Sequence, residues 1–230
     1  MIPDAKGRPF LDHILSSFAD AGITRAVLVV APDAEVIRQH YHDTPPRRLS
    51  LEWAVQEQPR GTADAVLAAE PLVGRDPFLV ANADNLYPVA ALTSLIDLGE
   101  PGLVAFDRDA LFQDGGIAPD RIKAFAMLRL DASGYLADLV EKPDADELRA
   151  IGGGWVSMNL WRFDHRIFAH CRAVPLSVRG ELELPQAVMH ALRSGATFRA
   201  VTMHAGVLDL SQRADIAAVA ARLGERTPHP

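Results

Sequence analysis

Three apolar runs constrain the fold of this chain more than any other feature. Ala26-Val-Leu-Val-Val-Ala31, Pro77-Phe-Leu-Val-Ala81 and Leu103-Val-Ala-Phe106 carry no charged or hydrogen-bonding side chain at either parity. Successive side chains of a strand point to opposite faces, so a strand that is apolar at every position expects cover on both. Helical patterns lie between the runs. Leu11, Ile14, Leu15 and Phe18 recur at helical spacing and Gly22 supplies a stop, while Ala34 to His40, Thr62 to Ala69 and Val89 to Leu98 predict three more helices. Leu49, Leu51, Trp53 and Val55 alternate and predict a further strand. Strands alternating with helices imply a Rossmann-like α/β fold: a mostly parallel mixed sheet, right-handed crossovers and helices on both faces.

The second half changes rhythm. Ile122–Leu130 and Tyr135–Val140 flank Asp131-Ala-Ser-Gly134 and predict a hairpin, followed by a strand over Val156–Phe163. Helices are expected near Arg166–Arg172 and Leu184–Leu192, and Ser211 is a candidate N-cap for a last helix carrying Ile216, Val219 and Leu223. Gly152-Gly-Gly154 reads as a linker between strands, with a flexible turn over a ligand site as the alternative. The expectation is one domain over residues 1–225 and a frayed tail over 226–230, a size that suits one substantial core.

A net charge of −7 with no basic stripe argues against a nucleic-acid partner. A single cysteine, Cys171, leaves no disulfide framework and no Cys-rich zinc site, and reads as a buried thiol. There is no signal segment and no run of membrane-spanning length, so no membrane partner is expected and the cytoplasm is the expected location.

In open α/β sheets ligands bind beyond the carboxyl ends of strands, and four segments mostly fall there. Gln58-Pro-Arg-Gly61-Thr62 follows the Leu49–Val55 strand. A Gly-Thr pair opening a helix brings backbone N–H groups close to a ligand, and Gln58 offers a donor and an acceptor to a nucleobase edge. The ordinary alternative is a strand–helix joint capped by Thr62. Asp84, in Asn82-Ala-Asp-Asn85, ends a buried strand, where a carboxylate suits Mg²⁺ bound to phosphates. A turn or capping aspartate is the alternative. Glu141-Lys142-Pro143 offers an acceptor for sugar hydroxyls and a cation for a phosphate, or else a solvated ion pair. Asp209 precedes the last helix, as a second carboxylate for the same metal or as a helix-terminal aspartate.

Taken in order, these segments resemble the sugar-phosphate nucleotidyltransferase (NDP-sugar pyrophosphorylase) family. Gly7-Arg-Pro-Phe-Leu-Asp-His-Ile14 and Ala19-Asp-Ala-Gly-Ile23 are similar to the stretch after that family's phosphate loop, and Gln58-Pro-Arg-Gly-Thr62 to its base-gripping loop. Asp84 and Asp209 fall on its two magnesium aspartates, Glu141-Lys142-Pro143 on its sugar-phosphate segment, and Asn159 on a sugar-facing position. Arg179-Gly-Glu181-Leu-Glu183 is similar to a segment lining the sugar side, with Gln186 where the family usually has an acid.

The resemblance implies transfer of a nucleoside monophosphate from an NTP to a sugar 1-phosphate, with release of pyrophosphate. Asp84 and Asp209 would hold Mg²⁺, Gln58, Gly61 and Thr62 the nucleotide, and Glu141, Lys142, Asn159 and Glu181 the sugar phosphate. A homo-oligomer is compatible with it. The family's first strand and its Gly-x-Gly-Thr-Arg-like loop, with a following lysine, would precede the position of Met1. The expectation is therefore a natural start further upstream, an N-terminally truncated fold, and weak or absent turnover by these 230 residues. A nucleotide-sugar-binding regulatory subunit without catalysis and a metal-dependent glycosyltransferase are the other two readings.

Overall fold

The computed structural model describes residues 2–4, 6–151, 154–177, 179–212, 215–224 and 226–230. Gly152 and Gly153 of the expected linker lie outside them. The first half runs α1 (Phe10–Asp20), β1 (Arg25–Val30), α2 (Glu35–Asp43), β2 (Ser50–Val55), α3 (Thr62–Val73), β3 (Phe78–Val80), β4 (Asn85–Leu86), α4 (Val89–Ile96), β5 (Gly102–Asp107) and α5 (Arg108–Gln113). It continues with α6 (Pro119–Ile122), β6 (Ala126–Leu130), β7 (Leu136–Glu141), α7 (Ala145–Ile151), β8 (Trp155–Phe163), α8 (Ile167–Ala173), α9 (Leu184–Arg193), β9 (Arg199–Met203), β10 (Leu208–Asp209) and α10 (Asp215–Leu223). No helix among the described residues is long and apolar enough to cross a membrane.

The main sheet is mixed. β5 pairs with β9 in parallel, while β8 runs antiparallel to β3, β5 and β6, and β7 antiparallel to β6. It follows that β3, β5, β6 and β9 run one way and β7 and β8 the other. Strand β5 shows why an uninterrupted apolar run was needed. Leu103 and Ala105 enter a core with α3, α8 and α9, while Val104 and Phe106 enter the opposite core with α4 and α5, and all four are fully buried. Cys171 lies in the first of these cores, where burial pushes its thiol up to about 12. The buried-thiol reading fits this environment.

β1 and β3 depart from the expectation of full burial. Their residues are half-buried, apart from exposed Arg25. β1 and β2 form a separate parallel pair, and among the described residues β1 pairs with no other strand and β3 only with β8. One edge of each strand is thus open, and their apolar side chains lack a neighbour on that side. The hairpin is as expected, with Asp131 Oδ1 accepting from the N–H groups of Ser133 and Tyr135 (2.8 and 2.9 Å). The strand expected from Ile122 starts only at Ala126, because Pro119–Ile122 is a helical turn. At the other end, the residues expected to fray carry hydrogen bonds. Pro230 O accepts from Arg47 N (2.8 Å), and His229 N donates to Ser16 Oγ (3.0 Å).

Candidate active site

The site forms where β8 divides its partners. One edge of β8 follows β5, whereas the other pairs with β6 at Val156–Ser157 and with β3 at Trp161–Phe163. Asn159 lies between these two stretches with φ +55°, a left-handed backbone that asparagine tolerates better than most residues. Between the end of β3 and β6 this edge of β8 changes strand neighbours, the kind of place where α/β sheets bind ligands.

Asp84 and Asp209 meet at one side of it. After β3 the chain turns through Asn82–Asp84 into β4, which pairs antiparallel with β10, setting Asn85 opposite Asp209. Leu210 N donates to Asp84 O (2.8 Å). Below this pair, Tyr87 is fully buried and its hydroxyl donates to Met158 O (2.6 Å), tying the turn to β8. Asp209 is buried and its oxygens accept from Ser211 N and Ser211 Oγ (3.0 Å each) and from Arg121 Nη2. Asn85, also buried, is oriented with Nδ2 donating to Asp209 Oδ1 and to Asp84 O (3.2 Å each). Burial and then the nearby charge of Asp209 raise the Asp84 carboxyl above the usual carboxylate range. Ser211, expected as a cap for the last helix, donates to Asp209 from both N and Oγ and so orients it.

The second group lies along the same row of the sheet, where Ser157 pairs with Ala126 and Ala126 with Glu141. Lys142, next to it, has φ +47° and is exposed. Glu141 is an exposed residue at the end of β7; its carboxyl is hydrogen-bonded to Glu183, and desolvation of the carboxyl, then this bond and the charge of Glu183, push it up to about 7. Burial would also raise Glu183, but bonds from Glu141, Arg179 and Ser177 hold it below the ordinary value. Arg179 donates to Glu183 Oε1 from Nε (3.0 Å) and Nη2 (2.6 Å). Below about pH 7 the pair is expected to hold a proton on Glu141. A group raised in the folded state contributes stability that is full below its unfolded value of about 4.5 and is lost as pH rises through about 7. In urea unfolding, Glu141→Gln is expected to gain on the parent between pH 5 and pH 8; identical pH dependence in both proteins would contradict the shared proton.

Glu183, rather than Glu181, is the residue brought to Glu141. Glu181 sits in a turn where Ser177 N donates to its carbonyl (2.8 Å), while Glu183 precedes α9 and is buried. Gln58 is exposed on its loop. Gly61 and Thr62 join that loop to the Glu183 segment: Leu182 N donates to Arg60 O (2.7 Å), Ala63 N to Leu182 O (2.8 Å) and Leu184 N to Thr62 Oγ1 (2.9 Å). Gly61, not Thr62, occupies the cap position of α3, and Gln56 Nε2 ties Gly61 O to Asp64 Oδ2 (3.0 and 2.9 Å).

Sequence reasoning missed Asn85, Arg121, Arg179 and Glu183. The β4·β10 pair brings Asn85 to Asp209 and the α6 turn brings Arg121, although Arg179 and Glu183 stand at helical spacing within a segment already singled out.

Residues 1–222 match the family described as Nucleotidyl transferase. The chain belongs to that family. UTP--glucose-1-phosphate uridylyltransferase AglF of Haloferax volcanii is 28% identical to this nucleotidyl transferase over 225 residues, covering 97% of this chain and 87% of that protein. Glucose-1-phosphate thymidylyltransferase of Streptomyces antibioticus is 28% identical over 219 residues, 91% of this chain and 56% of that one. The chain spans 42% of the length of bifunctional protein GlmU of Methanococcus maripaludis (strain C5), at 26% identity over 195 residues and 85% of this chain. In fold it is similar to a UDP-glucose pyrophosphorylase complexed with UDP-glucose, with a TM-score of 0.79 at 17% identity, covering 98% of this chain and 90% of that one.

Proposed function

We propose that this chain transfers a nucleoside monophosphate from an NTP to a sugar 1-phosphate and releases pyrophosphate. The observation that carries the reading is the meeting of Asp84 and Asp209, distant in sequence, through the β4·β10 pair. No three His, Cys, Asp or Glu side chains cluster as a metal centre among the described residues. Two neighbouring carboxylates are nevertheless the donor set Mg²⁺ takes when phosphates and waters complete its shell. Their mutual repulsion, felt in the raised Asp84 carboxyl, is what a bound cation relieves. Bound there, Mg²⁺ would supply charge neutralisation at the reacting phosphates.

The protein's own residues have the remaining work of positioning and charge compensation, on which phosphoryl transfers mostly depend. Gln58 faces solvent from its loop and reads the base, while Gly61 and Thr62 hold that loop against Leu182–Leu184. Lys142 neutralises the sugar phosphate. Glu141 and Asn159 accept from or donate to sugar hydroxyls, with Glu183 and Arg179 fixing the Glu141 carboxyl. Glu181 lines the outer rim. The reaction needs no protein nucleophile, since the sugar-phosphate oxygen attacks the α-phosphorus and pyrophosphate leaves with the bonding pair.

Pyrophosphate release with Mg²⁺ over a panel of NTPs and sugar 1-phosphates tests this reading. UTP with glucose 1-phosphate comes first, because one relative carries that pair in its name. Slow release with one pair above the others is the expected result, in keeping with the weak turnover expected of these 230 residues. Tight binding of a nucleotide sugar with no release from any pair would overturn it in favour of a binding-only protein.

A further inference from the structure

We propose that Arg121 is a built-in counter-ion for the carboxylate pair, which holds Asp209 until a divalent cation displaces it. This rests on the metal-site reading above and concerns its control. Arg121 sits on the single turn α6 and its guanidinium forks between two acids. Nη2 bonds Asp209 Oδ2 and Ser211 Oγ (2.8 Å), while Nη1 bonds Asp215 Oδ1 at the start of α10 (2.6 Å). The Asp209 side chain is only 2% exposed, and those of Arg121 and Asp215 are 21% and 18%. A carboxylate so enclosed beside a second one needs a compensating charge, or the desolvation cost of the pair falls on the fold. Arg121 supplies it, and its positive charge also reaches Asp84.

Both oxygens of Asp209 are engaged, so a metal must displace a donor. Ser211 and Asn85 are neutral and feel no repulsion from an arriving cation. Arg121 is repelled by it, and alone among these donors has a second carboxylate to retreat to. The bare cation thus competes with a guanidinium already in place. When the triphosphate arrives it brings negative charge that Arg121 can face, so cation and nucleotide favour one another's binding.

The test is Mn²⁺ binding to the full chain without nucleotide, read by the loss of the free-ion paramagnetic resonance signal. Arg121→Gln removes the competitor and should bind Mn²⁺ tighter by about tenfold or more, as expected for one charge removed at a half-enclosed site. Asp215→Asn takes away the alternative anchor and should weaken Mn²⁺ binding, by about threefold for a more exposed charge. It also keeps the proposal testable if Arg121→Gln does not fold. Unchanged or weaker affinity in folded Arg121→Gln, or unchanged or tighter affinity in Asp215→Asn, overturns the counter-ion role. Asp84→Asn and Asp209→Asn report separately on the site. If neither lowers Mn²⁺ binding, the metal reading fails; if both do while Arg121→Gln has no effect, only the present inference fails.

Discussion

Asp209→Asn is expected to lower the rate of pyrophosphate release by about 10²–10³, the usual effect of losing one charge-stabilising group at a reacting phosphate. The amide keeps the size of the side chain and can still accept from Ser211 N, but its nitrogen cannot accept from Ser211 Oγ or Arg121, and it cannot neutralise a divalent cation. Arg121 retains Asp215 and Ser211, so most of the fold's polar contacts at this point survive. Activity should therefore collapse well before stability does. There is an internal check. The Asp209 charge is the second cause, after burial, of the raised Asp84 carboxyl, so Asp84 should titrate lower in the variant than in the parent. Carboxyl-carbon chemical shifts followed through a pH series would show it. An Asp209→Asn protein that turns over at the parent rate would remove this residue from the chemistry.

Gly61→Ala is expected to be a strongly damaging small change. Gly61 has φ +108° and ψ 177°, a conformation nearly confined to glycine, which costs other residues about 1–3 kcal/mol. An added Cβ would lie 2.5 Å from Leu182 O and 2.8 Å from Leu182 N. Those are the two atoms that bond Ala63 N and Arg60 O, so relief of the clash must break the connection between the base loop and the Glu183 segment. Strain and overlap together should cost about 3 kcal/mol, a fall in Tm of about 6–12 °C for a chain of this size. KM for the nucleotide should rise more than kcat falls, because Gln58 loses its platform while Asp84 and Asp209 keep theirs. Melting followed by circular dichroism decides the first part; a shift under about 2 °C would mean the loop yields freely.

How much of this was legible depended on the range of the interaction. Local periodicity placed α1, β2, α4 and the β6–β7 hairpin, since apolar spacing and turn residues act over a few neighbours. It missed β4 and β10, two residues each, because so short a pair has no pattern of its own and exists only through its partner. It overestimated the burial of β1 and β3, because composition records what a strand can bury and says nothing about whether a neighbour stands at its edge. In the site, the acids Asp84, Asp209 and Glu141 were readable as ordered motifs. Their companions were not. Arg121 lies in an unremarkable Pro-Asp-Arg-Ile turn, and only the folded chain directs it to Asp209. Ser211 looked like a helix cap because capping and carboxylate-orienting serines occupy the same kind of loop position.

The β4·β10 pair also bears on the order of folding. Its strands come from distant parts of the sequence, and β8 must already lie across β3, β5 and β6 before Tyr87 can tie the β4 turn to Met158. Such contacts have a large loop-closure entropy and form late. During synthesis the first carboxylate emerges long before the second, and on the proposed metal reading an incomplete chain has no place to hold a divalent ion between them. Cation binding should then be selective for the finished fold and draw partly folded chains toward it by mass action.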